Sequence, residues 1–232
     1  KSWFDTFAPK GRGPKAGEIW RSEDHGKTLA DIGKTKGESF YRGELAEKIA
    51  SFSKTYDGFL TKEDLAAYHP EWVEPISINY KGYEVWEIPP NGQGLVALMA
   101  LNTLKNDHFH VKDSADTYHK QIEALKLAFA DGEKYITEES AMKIGTKDLL
   151  AGPYAEKSRK FIQERAIQPE AGEPARAGTV YLATADKEGN MVSFIQSNYM
   201  GFGSGLLVPG TGIALQNRGH NFSLDPSHHN AL

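Results

Sequence analysis

The spacing of apolar residues changes once along this chain, and that change constrains the fold more than any other feature. Before residue 165, apolar residues mostly recur at the spacing of amphipathic helices. From Thr179 onward, the stretches TVYLATA and MVSFIQS read as β-strands, and the loop Asp186–Asn190 between them contains the glycine typical of a hairpin. The sequence therefore predicts an α+β fold with helices first and strands afterwards.

Individual elements follow from local patterns in the first part. Thr61 followed by Asp64 predicts an N-capped short helix, because each side chain can bond the other residue's backbone N–H. Alternation over residues 76–88 around Lys81-Gly82 predicts a β-hairpin, and the apolar run from Gly94 predicts a helix to about Leu104. Two further helices are each predicted to turn an apolar stripe toward the core, and the stripes consist of Leu45, Ile49 and Phe52, and of Tyr118, Ile122, Leu125 and Phe129.

The second part holds a glycine-rich stretch, Gly201–Gly205, followed by apolar residues over 206–215. We read these as a loop and one more short strand. Glycines beside a strand let the backbone approach another group closely, and that group is either a ligand or a neighbouring strand.

Composition narrows the function classes. The 27 Lys and Arg residues against 31 Asp and Glu give a net charge of -4, which argues against a nucleic-acid partner. The chain has no cysteine, so disulfides, thiolate metal sites and a cysteine nucleophile are excluded. The apolar run Gly94–Leu101 is far shorter than the ~20 residues of a membrane span. His228-His229 lacks the spacing of a metal site, and we expect no metal and no cofactor.

The bond between Gly178 and Thr179 stands at the start of the predicted strand. It is either an ordinary entry into a strand, which β-branched residues favour, or a site of self-cleavage that exposes an N-terminal nucleophile. A free N-terminal threonine carries a hydroxyl nucleophile and an α-amine base on one residue. Gly178 suits attack on its carbonyl because it has no side chain in the way.

Several motifs together, in one order along the whole chain, resemble the γ-glutamyltranspeptidase (γ-glutamyltransferase) family. The motifs are FYRGELA from Phe40, GFLTKEDL from Gly58, PPNGQG from Pro89, EALKLAFAD from Glu123, and the region from Gly178-Thr179 to Phe222.

This resemblance implies an N-terminal-nucleophile hydrolase, a four-layer αββα sandwich of which the sequence is a partial chain. It implies one precursor that cuts itself before Thr179. Residues 1–178 would then form the C-terminal part of the large subunit and residues 179–232 the start of the small subunit, together in one joint domain. The two subunits would associate, and further oligomerisation and localisation stay open.

The resemblance also assigns site residues. Thr179 would be the nucleophile, with its α-amine as base, and Ser197 stands where the family has a Thr or Ser that orients and polarises it. Asn217 stands where the family has an Asn before its substrate-binding pair. Val180 and Tyr181 depart from the second Thr and the His that commonly follow the nucleophile.

The residues expected to recognise substrate depart further. His220 and Asn221 replace the Asp pair that binds the α-ammonium of a glutamyl group, and Arg218 replaces a neutral or acidic residue. Tyr199 stands where an Asn usually contacts substrate. Losing a carboxylate removes a charge-assisted bond to an ammonium, so an acyl group without the amine becomes a candidate.

Three functions therefore remain open at the level of the sequence. One is a γ-glutamyl hydrolase or transferase, which passes the acyl group to water, an amino acid or a peptide. A second is an amidohydrolase like the glutaryl (cephalosporin) acylases, and the third is a catalytically silent homologue with a binding role.

Overall fold

A computed structural model of the chain describes residues 2–168 and 177–232, with the backbone alone at residues 177–179. The chain divides into two compact units, which we call the first unit (Lys1–Pro70 with Ala175–Asn221) and the second unit (Glu71–Pro174 with Phe222–Leu232). The prediction of one joint domain stays a prediction.

Helices dominate the part of the chain before residue 168. In the first unit they are α1 (Ser2–Phe7), α2 (Glu23–Thr35), α3 (Glu38–Arg42), α4 (Glu44–Thr55) and α5 (Lys62–Ala67). In the second unit they are α6 (Gly94–Leu104), α7 (Ala115–Tyr135), α8 (Thr146–Leu149) and α9 (Gly152–Arg159).

The strands of the described residues form three antiparallel pairs. They are β1 (Ile76–Tyr80) with β2 (Tyr83–Glu87), β3 (Ala177–Ala185) with β4 (Met191–Met200), and β5 (Leu207–Val208) with β6 (Ile213–Ala214). The mixture of helices and strands confirms the α+β class. The single strand predicted over residues 206–215 is wrong, because Gly210 and Gly212, at φ 69° each, turn the chain back and give two short strands.

Several local predictions are confirmed. The side chain of Thr61 accepts a bond from the Asp64 N–H, and the Asp64 carboxylate accepts one from the Thr61 N–H, so α5 begins with a full capping box. The hairpin predicted over residues 76–88 forms with Tyr80 opposite Tyr83. In α4, Leu45 and Ile49 are buried as the stripe predicted.

The first unit holds α2 against the turn between β5 and β6. Thr28 in α2 donates from its hydroxyl to the Thr211 carbonyl at 2.7 Å, and both residues are buried. At Gly212 an added Cβ would lie 2.7 Å from the Cβ of His25, so only glycine permits this approach. The β5–β6 turn is therefore fixed to the start of α2.

The core of the second unit lies between α6 and α7, with buried contributions from α8 and the segment after α9. Its buried members are Leu95, Val96, Met99, Ala100, Leu104, Ala124, Ala128, Leu149 and Ile162. The helices approach closely, since a Cβ added at Gly132 would lie 2.8 Å from the Val96 methyl group. No helix in the described part of the chain is both long and apolar enough to cross a membrane.

The apolar stripe predicted on α7 does not face this core, and that prediction is wrong. Its members are 41–54% exposed, and they are Tyr118, Ile122, Leu125 and Phe129. The buried face of α7 instead carries Ala124, Ala128 and the carboxylate of Glu123. Small residues occupy the buried face because they allow the backbone of α7 to lie close to α6.

Candidate active site

The hairpin of β3 and β4 brings two of the predicted catalytic residues into register. Thr179 is paired with Ser197, and the pairing continues to Ala185 opposite Met191. This pairing is one of backbone register, and the side chain of Thr179 lies outside the described residues.

The loop at the far end of the hairpin is held by one carboxylate. Asp186 accepts bonds from the N–H groups of Glu188 and Asn190 and from the Asn190 side-chain amide at 2.8 Å. These bonds hold the pKa of Asp186 below its usual range, and the bond from the Asn190 side chain has the largest effect. The register of β3 against β4 is thus set partly by this loop.

The ladder is irregular at Gly178. Ala177 pairs with Met200 and Thr179 pairs with Ser197, so Gly178 alone stands opposite Asn198 and Tyr199. Such a bulge adds a residue to one strand and is frequent beside active sites. Tyr199 takes φ 77°, which is uncommon for a residue with a side chain. The predicted cleavage bond therefore lies at the one irregular point of this ladder.

Ser197 lies at the centre of a hydrogen-bond network. Its Oγ accepts a bond from Arg218 Nη2 at 2.8 Å and another from the Tyr199 backbone N–H at 3.2 Å. Arg218 Nη1 also donates to the Ser197 carbonyl at 3.2 Å, and its guanidinium carbon lies 6.0 Å from the centre of the Tyr199 ring. Arg218, predicted to bind substrate, is thus placed directly on Ser197.

Arg218 begins a 3-10 helix, Arg218–Asn221, that also carries His220 and Asn221, the two residues predicted to replace the family's acidic pair. Asn221 accepts a bond on Oδ1 from the Tyr199 hydroxyl at 2.8 Å. His220 is exposed, and its ring centre lies 6.5 Å from that of Tyr199. Tyr199, Arg218, His220 and Asn221 are therefore neighbours, although their roles stay predictions.

Asn217 links this turn to the end of β4. Its Oδ1 accepts a bond from the Met200 N–H at 3.0 Å, and its own N–H donates to the Asn198 carbonyl at 3.2 Å. The side-chain oxygen is thus used in holding the backbone. Its predicted contact with substrate stays a prediction.

The glycine-rich loop after β4 contacts another part of the backbone. At Gly203, with φ 71°, an added Cβ would lie 2.4 Å from the Leu215 carbonyl oxygen and 3.0 Å from the Asn198 Cβ. The Ser204 N–H and hydroxyl both donate to that same carbonyl at 2.9 Å. The sequence left open whether these glycines approach a ligand or a neighbouring strand, and Gly203 approaches neighbouring backbone of the same chain.

The contact between Arg218 and Ser197 was not predicted from sequence. The two residues are 21 positions apart, and no spacing rule joins a strand residue to a later turn. The signal available was the arginine itself, at a position where the family resemblance predicts a neutral or acidic residue. Across residues 2–168 and 177–232, no group of three or more His, Asp and Glu side chains is placed to hold a metal ion.

Comparison with known proteins gives consistent relatives. The crystal structure of a cephalosporin acylase from Bacillus halodurans is 67% identical, with a TM-score of 0.89 over 100% of this chain and 42% of that one. The Glutathione hydrolase-like YwrD proenzyme of Bacillus subtilis is 38% identical over 98% of this chain and 44% of its own length. The Oxamate amidohydrolase proenzyme of Klebsiella pneumoniae is 34% identical over 98% of this chain and 43% of its own length.

The chain thus spans less than half the length of each of these three proteins. The structural match confirms the predicted N-terminal-nucleophile hydrolase fold for the part of it that this chain supplies. The sequence profile described as Gamma-glutamyltranspeptidase matches residues 1–232, from the first residue to the last. The chain belongs to the gamma-glutamyltranspeptidase family.

Proposed function

We propose that the full-length protein is a self-processing enzyme of the γ-glutamyltranspeptidase type. It hydrolyses or transfers the γ-glutamyl group of a small amide through an acyl-enzyme on Thr179. The observation that carries this proposal is the pairing of Thr179 with Ser197, one residue after the irregular point at Gly178. Membership of the family supports it.

Processing begins with Thr179 as an internal residue. Its Oγ attacks the carbonyl carbon of Gly178, and the C–N bond breaks as the nitrogen takes up a proton. The resulting ester is hydrolysed by water, which leaves a carboxylate on Gly178 and a free amine and hydroxyl on Thr179. Residues 1–178 then end the large subunit and residues 179–232 begin the small one, with the two still associated.

Turnover uses the same hydroxyl. The α-amine of Thr179 accepts the hydroxyl proton as Oγ attacks the acyl carbon of the substrate. The α-amine then passes this proton to the substrate's leaving nitrogen, and the C–N bond of the substrate breaks. Ser197 orients the hydroxyl during attack. Water then releases the acid, or the amine of an amino acid or peptide takes the acyl group.

An acylase that removes a glutaryl-like group is the second candidate. It is favoured by Asn221, whose neutral amide occupies the position where the family places a carboxylate for the substrate ammonium. Arg218 and His220, on the same turn, add no negative charge there. The identity of 67% with a protein described as a cephalosporin acylase supports this candidate as well. Tyr199, Asn217, Arg218, His220 and Asn221 remain proposed substrate-binding residues in both cases.

The deciding experiment is the fate of the precursor when Thr179 is replaced. We expect the full-length protein to separate on a denaturing gel into two fragments, with an intact mass that places the cut between Gly178 and Thr179. Thr179→Ala should leave one chain, whereas Thr179→Ser should still cleave, because serine keeps the hydroxyl. Thr184→Ala, on the same strand β3, is the matched control and should cleave as the natural protein does.

Cleavage of Thr179→Ala at this same bond would show that the hydroxyl is not the nucleophile. An uncut natural protein without activity on γ-glutamyl or glutaryl anilides would favour the third function, a silent homologue with a binding role. Activity on one anilide alone separates the first two candidates.

A further inference from the structure

The hydroxyl of Ser197 has little freedom in this structure. A serine hydroxyl offers two acceptor lone pairs and one proton. Arg218 Nη2 and the Tyr199 N–H each occupy one acceptor position of Ser197 Oγ, at 2.8 Å and 3.2 Å. Among the described residues these two donors fill both acceptor positions of the hydroxyl, so its own proton is left to donate to a further group.

Two features of the backbone maintain this arrangement. The Tyr199 N–H bonds the side chain two residues earlier, as in a serine turn, and the backbone then bends at Tyr199, where φ is 77°. The 3-10 turn begins at Arg218, and the Arg218 N–H donates to the side-chain oxygen of Gln216. The backbone that carries the Arg218 guanidinium is therefore itself held by a hydrogen bond.

Arg218 donates hydrogen bonds to two atoms of Ser197. One guanidinium nitrogen donates to the hydroxyl and the other to the carbonyl of the same residue. A planar fork of donors suits such a contact, and the single ammonium of a lysine does not reproduce it. The positive charge also draws electron density from the hydroxyl oxygen, which makes its proton a better donor.

We propose that Arg218 is a positioning residue that acts through Ser197, fixing its hydroxyl as a hydrogen-bond donor toward the Thr179 opposite it in the ladder. Ser197 then cannot serve as the base that accepts the Thr179 proton. It steadies the negative charge that develops on the Thr179 oxygen in both self-cleavage and turnover. This inference rests on the proposed function of Thr179 and adds a role for Arg218 that differs from substrate binding.

A double-mutant cycle on the full-length protein tests it. The variants are Arg218→Gln, Ser197→Ala and the two combined, and the measured quantities are the rate constant of self-cleavage and kcat and KM on a γ-glutamyl or glutaryl anilide. Removing one hydrogen bond to a charged group should lower kcat by roughly 10- to 150-fold. The double variant should be no slower than Ser197→Ala alone, because Arg218 has no route to Thr179 once the hydroxyl is gone.

Controls separate this role from a structural one. Arg21→Gln, an exposed arginine of the same unit, should leave both rates unchanged. Arg218→Lys, which keeps the charge without the fork, should fall between the natural protein and Arg218→Gln. Circular dichroism and thermal midpoints should show that each variant is folded.

The inference is overturned if the fold-decrease in kcat of the double variant equals the product of the two single fold-decreases, since Arg218 would then act independently of Ser197. It is also overturned if Arg218→Gln raises KM and leaves kcat unchanged, which is the signature of a substrate ligand. An unchanged Arg218→Gln beside an uncut Thr179→Ala rejects this inference and keeps the proposed function. Cleavage in Thr179→Ala rejects the proposed function itself.

Discussion

Replacing Glu123 by glutamine should loosen the backbone at Ile167, on the segment that leads toward the predicted cleavage site. Glu123 is only 1% exposed and accepts two bonds, from Lys126 Nζ at 2.7 Å and from the Ile167 N–H at 2.9 Å. Lys126 also donates to the Ile167 carbonyl. Both polar groups of the Ile167 backbone are therefore bound to one pair of side chains on α7.

The electrostatics of Glu123 show that the charged form carries these bonds. Burial raises its pKa, but the bonds from Lys126 and Ile167 and the charges of Lys126 and His119 outweigh burial and hold the pKa below its usual range. A folded pKa below the unfolded one means that the stabilisation is present above the unfolded value. It is lost as the pH falls through the folded value.

The size of the effect follows from the bond to Ile167. A glutamine at position 123 keeps one acceptor oxygen for Lys126 and turns an amide NH₂ toward the Ile167 N–H, so two donors face each other. Losing a hydrogen bond to a charged group costs about 1.5–3 kcal/mol. At about 1.4 kcal/mol per tenfold, local opening at Ile167 should become roughly 10- to 150-fold more frequent.

Hydrogen exchange of the full-length protein, read by mass spectrometry on the peptide that covers residues 163–168, measures this opening. Asp116→Asn is the matched control, because Asp116 pairs with Lys120 on the same helix but has an exposed side chain. Exposed pairs contribute about 0–1 kcal/mol, so exchange there should hardly change. Unchanged exchange of the peptide in Glu123→Gln would refute the reasoning.

Two further predictions concern the site. Asn221→Asp should raise kcat/KM roughly tenfold or more for a γ-glutamyl anilide, because a charged bond to the ammonium contributes about 1.5–3 kcal/mol. The glutaryl anilide lacks the amine and should gain nothing, and equal changes on both substrates would reject this role. Gly203→Ala should lower the thermal midpoint more than Gly201→Ala, since both sites have positive φ but only an alanine at 203 meets the Leu215 carbonyl. Equal midpoints would show that the loop shifts to admit the methyl group.

Sequence patterns predicted the elements whose cause is local. The capping box at Thr61, the hairpin around Lys81 and the loop Asp186–Asn190 each depend on residues within a few positions of one another, and all three form. The same reasoning gave the pairing of β3 with β4, because the strands lie on either side of that short loop.

The failures depend on which surfaces meet. Periodicity showed that α7 has an apolar stripe, but it did not show which face lies against α6. The close approach at Gly132 and the small side chains of Ala124 and Ala128 decide that face. This chain spans less than half the length of the two curated relatives described above. The pattern of residues 1–232 therefore does not show what the exposed stripe of α7 contacts in a full-length protein.

The residues of the candidate site were predicted one by one from family resemblance, but the hydrogen bonds between them were not. The bond from Arg218 to Ser197 joins residues 21 positions apart, and the bond from Tyr199 to Asn221 joins residues 22 apart. Both depend on the bend at the end of β4, where Tyr199 takes positive φ. Such a backbone angle at a residue with a side chain is set by its surroundings and leaves little trace in the local sequence.

One turn, Arg218–Asn221, contacts both Ser197, which is paired with the proposed nucleophile, and Tyr199, which lies beside the proposed recognition residues. Tyr199 joins the two contacts, because its N–H donates to Ser197 Oγ and its hydroxyl donates to Asn221 Oδ1. An aspartate at position 221 keeps an acceptor for that hydroxyl and adds the negative charge that the proposed contact with a substrate ammonium requires. The hydrogen bonds of Ser197 do not involve residue 221, so we expect Asn221→Asp to alter the choice of substrate without slowing self-cleavage.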